Sequence, residues 1–180
     1  MRLLTISIHS IFLLSSVTML TISCAISCSL DSPHGSKSGL ENKRRPIVRQ
    51  IGEPSPTAKK IVAFAEKHIG KQVGDGQCWG LANLAYLSAG IKHRGGYVWG
   101  RRVHWQTEGV RPGDIIQFKN ARYPYSYTDE NHTAIILKVV GKSSVKVAHQ
   151  NWNHIHRVTT TTIPLVYLRS GSQIVYRYEP

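Results

Sequence analysis

The sequence predicts an α+β fold in which helices are followed by an antiparallel sheet. Helical periodicity is found over residues 58–68 and again from residue 78 to the glycine at residue 90. The second half instead carries short runs rich in Val, Ile and Thr, which are typical of strands. Helices that precede a set of strands, without regular alternation of the two, favour an α+β architecture.

Size and composition indicate one folded domain with an N-terminal appendage. The chain has 180 residues, of which 41% are hydrophobic, and this suffices for a sizeable core. Its formal net charge is +13, which favours contact with polyanions such as nucleic acid, an anionic membrane or an acidic cell wall. The basic residues are scattered and no nucleic-acid-binding motif is present, so a nucleic-acid partner is not expected.

Residues 1–28 are predicted to be a targeting segment. Leu3–Ser23 carries no charged residue and follows Arg2, as in a secretory signal. The run is also long enough to span a bilayer, and Cys24 ends a stretch that resembles a lipoprotein signal. We therefore expect an exported protein, secreted or in the cell envelope, and anchoring through the N-terminal helix or a lipid on Cys24 stays open.

Residues 29–56 are predicted to be a flexible linker, because they are rich in Ser, Pro, Gly and charge. The domain is then expected to span residues 57–180. Thr57 is predicted to cap its first helix, and Ile61, Phe64, Ala65 and His68 line one face of that helix.

Cys78 is predicted to lie at or near the N-terminus of the second helix, directly after a glycine-rich approach at residues 74–76. Unpaired N–H groups and the helix dipole favour the thiolate there, which is the nucleophilic form. Cys24 and Cys28 fall in the targeting segment, so no disulfide can form within the domain. A buried structural thiol is the alternative interpretation.

Two loops and a short strand follow the second helix. Residues 91–110 are irregular and aromatic, and their rings either line a substrate groove or plug the edge of the core; these are Tyr97, Trp99, His104 and Trp105. A turn at residues 111–114 leads into a strand at 115–118, and residues 123–131 form a second polar, aromatic loop.

Residues 132–140 and 144–151 are predicted to form a hairpin around a turn at Gly141–Ser143. A two-residue loop in this turn places His132 opposite Asn151 or Asn153, with the same parity in either case. One face then carries His132, Ala134, Ile136, Val145, Val147, His149 and Asn151. We expect this face to pack on a helix and to bring its polar end to Cys78. Further strands are predicted at residues 158–163 and 173–178.

These residues supply the parts of a cysteine nucleophile: Cys78, a base in His132 and an orienting side chain in Asn151. His149 shares the same face, where it is either a second orienting group or a packing residue. A zinc site built from Cys78, His132 and His149 lacks the close spacing of usual ligand pairs, so no metal or cofactor is expected.

Four segments, in order, resemble the CHAP family of cysteine- and histidine-dependent amidohydrolases and peptidases; they are residues 76–79, 111–118, 132–136 and 149–153. The resemblance implies a papain-like fold, with N-terminal helices packed on an antiparallel sheet, and cleavage of amide bonds in peptidoglycan. It also implies that Cys78 is the nucleophile, His132 the base and Asn151 the orienting residue, and that Gln77 helps to form the oxyanion hole. His149 stands where CHAP domains commonly carry Glu, and the acidic calcium-binding loop of some members is absent.

The sequence as a whole therefore predicts an exported cysteine hydrolase that acts on peptidoglycan or its peptide fragments. A catalytically inactive, CHAP-like module that binds the cell wall is the main alternative, because His149 replaces the usual carboxylate. A basic nucleic-acid-binding protein is the third interpretation. The oligomeric state is not indicated.

Overall fold

The computed structural model describes residues 46–124, 126–127 and 131–180. The predicted targeting segment, with Cys24 and Cys28, lies outside these residues, as does the first part of the predicted linker, residues 29–45. Of the helices in the described ranges, none combines the length and the apolar character needed to cross a membrane.

The described residues form an antiparallel sheet with helices, which confirms the α+β class. The helices are α1 (Pro56–Lys67), α2 (Cys78–Ser88) and α3 (Trp105–Glu108). The strands are β1 (Arg101–Val103), β2 (Ile115–Tyr123), β3 (Ser126–Tyr127), β4 (His132–Val140), β5 (Ser144–His149), β6 (Thr159–Ile163) and β7 (Ser170–Arg177). Their order across the sheet is β1-β7-β2-β4-β5-β6, and β3 pairs with β2.

Helix α1 begins two residues earlier than predicted, and its cap is Ser55 rather than Thr57. The Ser55 hydroxyl accepts a hydrogen bond from the Ala58 N–H at 3.1 Å, and Pro56 occupies the first helical position. Proline has its φ preset for this position and has no N–H that would need a partner. Helix α2 begins at Cys78 as predicted.

Helices α1 and α2 cover one face of the sheet, whose core side chains there include Ile115, Ile135 and Ala148. The other face carries Ile116, Phe118, Ala134, Ile136 and Val147, and it is covered by residues from loops and short elements. Both faces of the central strands are therefore buried, which is why the sequence of β4 is a nearly continuous apolar run.

The part of the predicted linker that the structure describes packs on this second face. Val48 is 3% exposed and belongs to the core, and its N–H donates to the Lys142 carbonyl at 2.9 Å. Gln50 forms a parallel bridge with Val110. The polar average composition of residues 29–56 conceals three apolar residues, Ile47, Val48 and Ile51, of which Val48 enters the core.

The β4–β5 hairpin has a three-residue loop, not the predicted two-residue loop. Val140 pairs with Ser144, so residues 141–143 form the turn. Without any other change, a three-residue loop would place His132 and His149 on opposite faces of the hairpin. A bulge at Leu137, between the Ile136–Val147 and Lys138–Lys146 pairs, shifts the register by one residue and restores the predicted parity.

Two of the four aromatic residues predicted to line a groove or fill the core edge in the first loop are buried in the core. Trp99 is fully buried and Trp105 is 5% exposed, whereas Tyr97 and His104 are exposed. In the second predicted loop, Tyr123 ends β2 and residues 126–127 form β3, while residues 125 and 128–130 lie outside the described residues.

Candidate active site

The backbone before Cys78 is fixed by a short network of local hydrogen bonds. The carboxylate of Asp75 accepts from the Gln77 N–H at 2.9 Å, and Gln77 is the residue that precedes the first turn of α2. A side chain at Gly80 would place its Cβ 2.5 Å from the Asp75 Oδ1 atom. Glycine at position 80 therefore leaves room for the Asp75 carboxylate beside the helix N-terminus that presents Cys78.

The Cys78 thiol is half-buried, and burial raises its pKa. The backbone and side chain of Thr133 lower it, as do the backbone groups of Trp79 and of Cys78 itself, but their combined effect is smaller than that of burial. Loss of water therefore opposes the expected thiolate more strongly than these hydrogen-bonding groups favour it.

His132 and His149 form a hydrogen-bonded pair. Their Nε2 and Nδ1 atoms are 3.0 Å apart, and the Nε2 atom of His149 lies 2.9 Å from the Thr161 hydroxyl. His149 pairs directly with Ala134, so it is the diagonal neighbour of His132 on the same face of the sheet. Among the described residues, this pairing engages the His132 ring through Nε2 and leaves its Nδ1 atom without a hydrogen bond.

Both imidazoles are neutral at physiological pH. Burial lowers the pKa of His132 to about 3, with a smaller contribution from His149, and burial lowers the pKa of His149 to about 4. The two residues are 3% and 0% exposed, and Trp152 packs against both, with ring centroids 4.9 and 4.6 Å away. An apolar enclosure of this kind disfavours an imidazolium.

The histidine pair lies on the sheet face opposite to α1 and α2. His132 pairs with Phe118, a core residue of that other face, so the expectation that the His132 face packs on the helix that carries Cys78 is wrong. The apolar run of β4 offers two faces of similar character, and alternation alone does not tell which one a helix covers. Thr133, the next residue, is the one that reaches the Cys78 thiol.

Within the described part of the chain, the side-chain hydrogen bond of His132 is made to His149 and none joins it to Cys78. The two residues are nevertheless close in space, because Thr133 contacts the thiol and directly follows His132. The structure thus brings the predicted nucleophile and base to the same end of β4 without a direct bond between them.

Asn151 contacts Gln77 rather than His132. The ladder ends at the Ala134–His149 pair, and Asn151 has left the strand with a φ of 56°. Its Nδ2 atom donates to the Gln77 Oε1 atom at 2.6 Å, and its Oδ1 atom is buried without a hydrogen-bond partner in the described residues. The predicted pairing of His132 with Asn151 extrapolated the ladder two residues too far.

Gln150 is a structural residue of the site that the sequence did not single out. It is fully buried, and its side chain accepts from the Val73 N–H and donates to the Val73 carbonyl, both at 2.8 Å. It also donates to the Gln77 carbonyl at 3.1 Å. Gln150 thus hydrogen-bonds to both ends of the loop that leads into Cys78, at Val73 and at Gln77. In sequence it is one polar residue among several after β5, and nothing there distinguishes it.

Across the described ranges, no group of three or more His, Cys, Asp or Glu side chains is placed to hold a metal ion. The acidic side chain nearest to Cys78 in sequence is Asp75, and it is engaged with the Gln77 N–H. The chemistry available at this site is therefore that of a thiol, two neutral imidazoles and amide groups.

Comparison with known proteins identifies related chains. Residues 55–180 match the family model of the AIM3/BBC1 cysteine proteinase-fold domain, which supports a papain-like fold but not the narrower assignment to the CHAP family. The chain is 25% identical over 195 residues to Altered inheritance of mitochondria protein 3 from Debaryomyces hansenii, an alignment that covers 88% of this chain and 21% of that protein. The chain thus spans about a fifth of the length of this curated relative.

Two solved structures resemble the fold at low similarity. They are "The crystal structure of Ly7917" and "The crystal structure of Ly7917 with the hydrolyzing product of MDP". Each has 17% sequence identity and a TM-score of 0.44, and the match covers 66% of this chain and 62% of the other.

Proposed function

The chain belongs to the AIM3/BBC1 cysteine proteinase-fold family, and from this premise we propose that its domain hydrolyses amide bonds, with Cys78 as nucleophile and His132 as base. The observation that carries the proposal is the 3.0 Å hydrogen bond between His132 and His149, next to Thr133, which contacts the Cys78 thiol. It holds the His132 ring by one nitrogen and leaves Nδ1 for proton transfer. In this proposal His149, not Asn151, orients the base.

The tautomers required for catalysis follow from the hydrogen bonds. If the His132 Nε2–H donates to the His149 Nδ1 atom, the His132 Nδ1 atom carries a lone pair and accepts a proton. The opposite direction would place a proton on Nδ1 and remove the base. The active form is therefore the one in which both rings carry their proton on Nε2.

The reaction starts from a neutral thiol. As the Cys78 sulfur attacks the carbonyl carbon, its proton passes to His132 Nδ1, and the carbonyl oxygen becomes an oxyanion. The Cys78 N–H and the Gln77 side chain are the proposed donors to that oxyanion. His132 then protonates the leaving amine, and a thioester remains on Cys78.

Water completes the cycle. His132 takes a proton from the attacking water, the thioester carbon–sulfur bond breaks to release the acid, and His132 returns the proton to the Cys78 sulfur. The first step requires the thiol to turn from Thr133 toward His132. Such contacts often form fully only when substrate is bound.

The proposal also includes a class of substrate. The resemblance to CHAP domains makes amide bonds of peptidoglycan peptides the first class to test, and the net charge of +13 would favour an anionic polymer. Export by a signal in residues 1–28 belongs to the same proposal.

A non-catalytic binding domain is the second candidate, and one observation favours it. Burial raises the pKa of Cys78 and lowers those of both histidines, so a preformed thiolate–imidazolium pair is disfavoured. A domain that keeps the fold and binds peptides without cleaving them would have the same resting state.

The deciding experiment uses the full chain with purified peptidoglycan and, separately, with a synthetic peptide library, and identifies products by mass. Wild type is compared with Cys78→Ala, with His132→Ala and with His104→Ala, which alters an exposed histidine as a control. Cleavage by wild type and His104→Ala alone would support the enzyme and name the bond. Binding without cleavage, with Cys78 alkylated by iodoacetamide no faster than in the unfolded chain, would support the binding domain instead.

A further inference from the structure

We propose that Thr161 is a positioning residue that holds the His149 proton on Nε2 and thereby keeps the His132 Nδ1 atom free to act as the base. This inference rests on the proposed function for its catalytic consequence. Its structural part rests on the contacts of three side chains on neighbouring strands.

Two successive hydrogen bonds connect the side chains of Thr161, His149 and His132. Thr161 pairs with Val147 across the β5–β6 ladder, which places it on the same sheet face as His149 and diagonal to it. Its hydroxyl is 2.9 Å from His149 Nε2, and His149 Nδ1 is 3.0 Å from His132 Nε2. Among the described residues, the side-chain hydrogen bonds of His149 run to these two partners.

We assign the Thr161 hydroxyl the role of acceptor, because its oxygen is the partner that a buried Nε2–H of His149 would need. The ring is fully buried and packed by Trp152, so a proton on Nε2 must be given to the Thr161 oxygen. With that bond made, His149 Nδ1 is an acceptor, and His132 donates to it from Nε2. Without the hydroxyl, a buried N–H would be left without an acceptor, which is costly.

We therefore expect that loss of the Thr161 hydroxyl changes the tautomer of both His149 and His132. The proton of His149 moves to Nδ1, where it donates to His132 Nε2. His132 must then carry its own proton on Nδ1, and it can no longer accept one from the thiol. No charged side chain hydrogen-bonds either ring in the described ranges, so the direction of the bonds depends on the threonine.

The run Thr159–Thr162 supplies matched controls. Successive residues of β6 alternate between faces, so Thr162 lies on the face opposite to Thr161 and is exposed. Thr161→Val keeps the shape and removes the hydroxyl. Thr161→Ser keeps the hydroxyl, and Thr162→Val makes the same chemical change on the other face.

The test measures the ¹⁵N chemical shifts of both imidazoles by NMR at pH 7 in the full chain. We expect Nε2–H on both rings in wild type, Thr161→Ser and Thr162→Val, and Nδ1–H in Thr161→Val. Nδ1–H in the wild-type His149, or an unchanged tautomer in Thr161→Val, would overturn the proposal. This readout does not need a substrate, so it stands whether or not the chain is an enzyme.

The catalytic consequence is measured separately with the substrate identified above. In Thr161→Val, kcat is expected to fall about 10- to 100-fold with KM little changed, and Thr161→Ser is expected to restore most of it. An altered tautomer with unaltered kcat would refute His132 as the base while leaving the positioning role intact. An inactive wild type with the expected tautomers would refute the proposed function alone.

Discussion

The hydrogen bond between Asn151 and Gln77 decides which end of the Gln77 amide faces the substrate. The Asn151 Nδ2 atom donates to Gln77 Oε1 at 2.6 Å, so the amide oxygen of Gln77 is engaged and its NH₂ group is left as a donor. An oxyanion hole needs such a donor. Asn151 thus acts on the proposed reaction through Gln77 rather than through His132.

The substitution Asn151→Asp reverses this arrangement, because a carboxylate only accepts hydrogen bonds. The Gln77 NH₂ group would then turn toward the introduced carboxylate, and kcat/KM is expected to fall about 100- to 1,000-fold through loss of one oxyanion donor. Asn151→Ala frees the Gln77 side chain without reversing it, so a smaller loss is expected. Steady-state kinetics would show this order, and equal losses in the two variants would contradict it.

At the scale of elements, the loop before α2 depends on Gln150. Gln150→Leu removes three hydrogen bonds to the backbone of Val73 and Gln77 and leaves the buried Val73 N–H without a partner, whereas the two carbonyls keep the Gly76 and Leu81 N–H groups as donors. We expect the free energy of unfolding to fall by about 2–4 kcal/mol. Urea denaturation measures it, with Gln106→Leu as an exposed control; a loss below about 1 kcal/mol would show that water replaces Gln150.

The same elements show how far the sequence predicts this fold. Helix α2 was predictable from its start at Cys78 because a glycine-rich approach precedes an apolar helical run. The parity of the β4–β5 hairpin was also predicted, but the three-residue loop and the bulge at Leu137 were not. The loop and the bulge each shift the strand register by one residue in opposite senses, so their effects cancel. The alternation of apolar and polar residues along one strand carries no information about such a cancellation.

Side chains whose role depends on a distant partner could not be predicted. Thr161 and Gln150 have no local signal, since their partners His149 and Val73 are brought near only by the sheet. The face of β4 that a helix covers was likewise hidden, because both faces are apolar. Cys78 and His132 were identifiable because each begins a strongly patterned element.

For the whole molecule, the boundary of the folded domain lies before α1. Val48 is 3% exposed, and the backbone of residues 48–51 bonds to Lys142 and Val110. A chain that starts at residue 55 is expected to lose about 2–4 kcal/mol of unfolding free energy relative to one that starts at residue 42, from lost apolar burial and hydrogen bonds. Chemical denaturation of the two compares them directly, and equal stabilities would place the boundary after Val48.

The buried histidine pair also makes the whole domain sensitive to acid. The pKa is about 3 for His132 and about 4 for His149 in the folded chain, against an ordinary value of 6.5. Between about pH 4 and pH 6.5, both histidines are mostly protonated in the unfolded chain and mostly neutral in the folded chain. Stability therefore falls as the pH falls below 6.5, by at most about 3 kcal/mol per pH unit.

Removal of one titrating group isolates this effect. In His149→Gln the slope that the pair contributes near pH 5 is expected to fall to about half, whatever the absolute stability of the variant. Carboxyl groups titrate alike in both proteins and cancel in the difference, and His104→Gln serves as the exposed control. Urea denaturation from about pH 4.5 to 7 gives the slopes. Equal slopes in wild type and His149→Gln would mean that the folded chain protonates His149 as readily as the unfolded one, which its complete burial against Trp152 argues against.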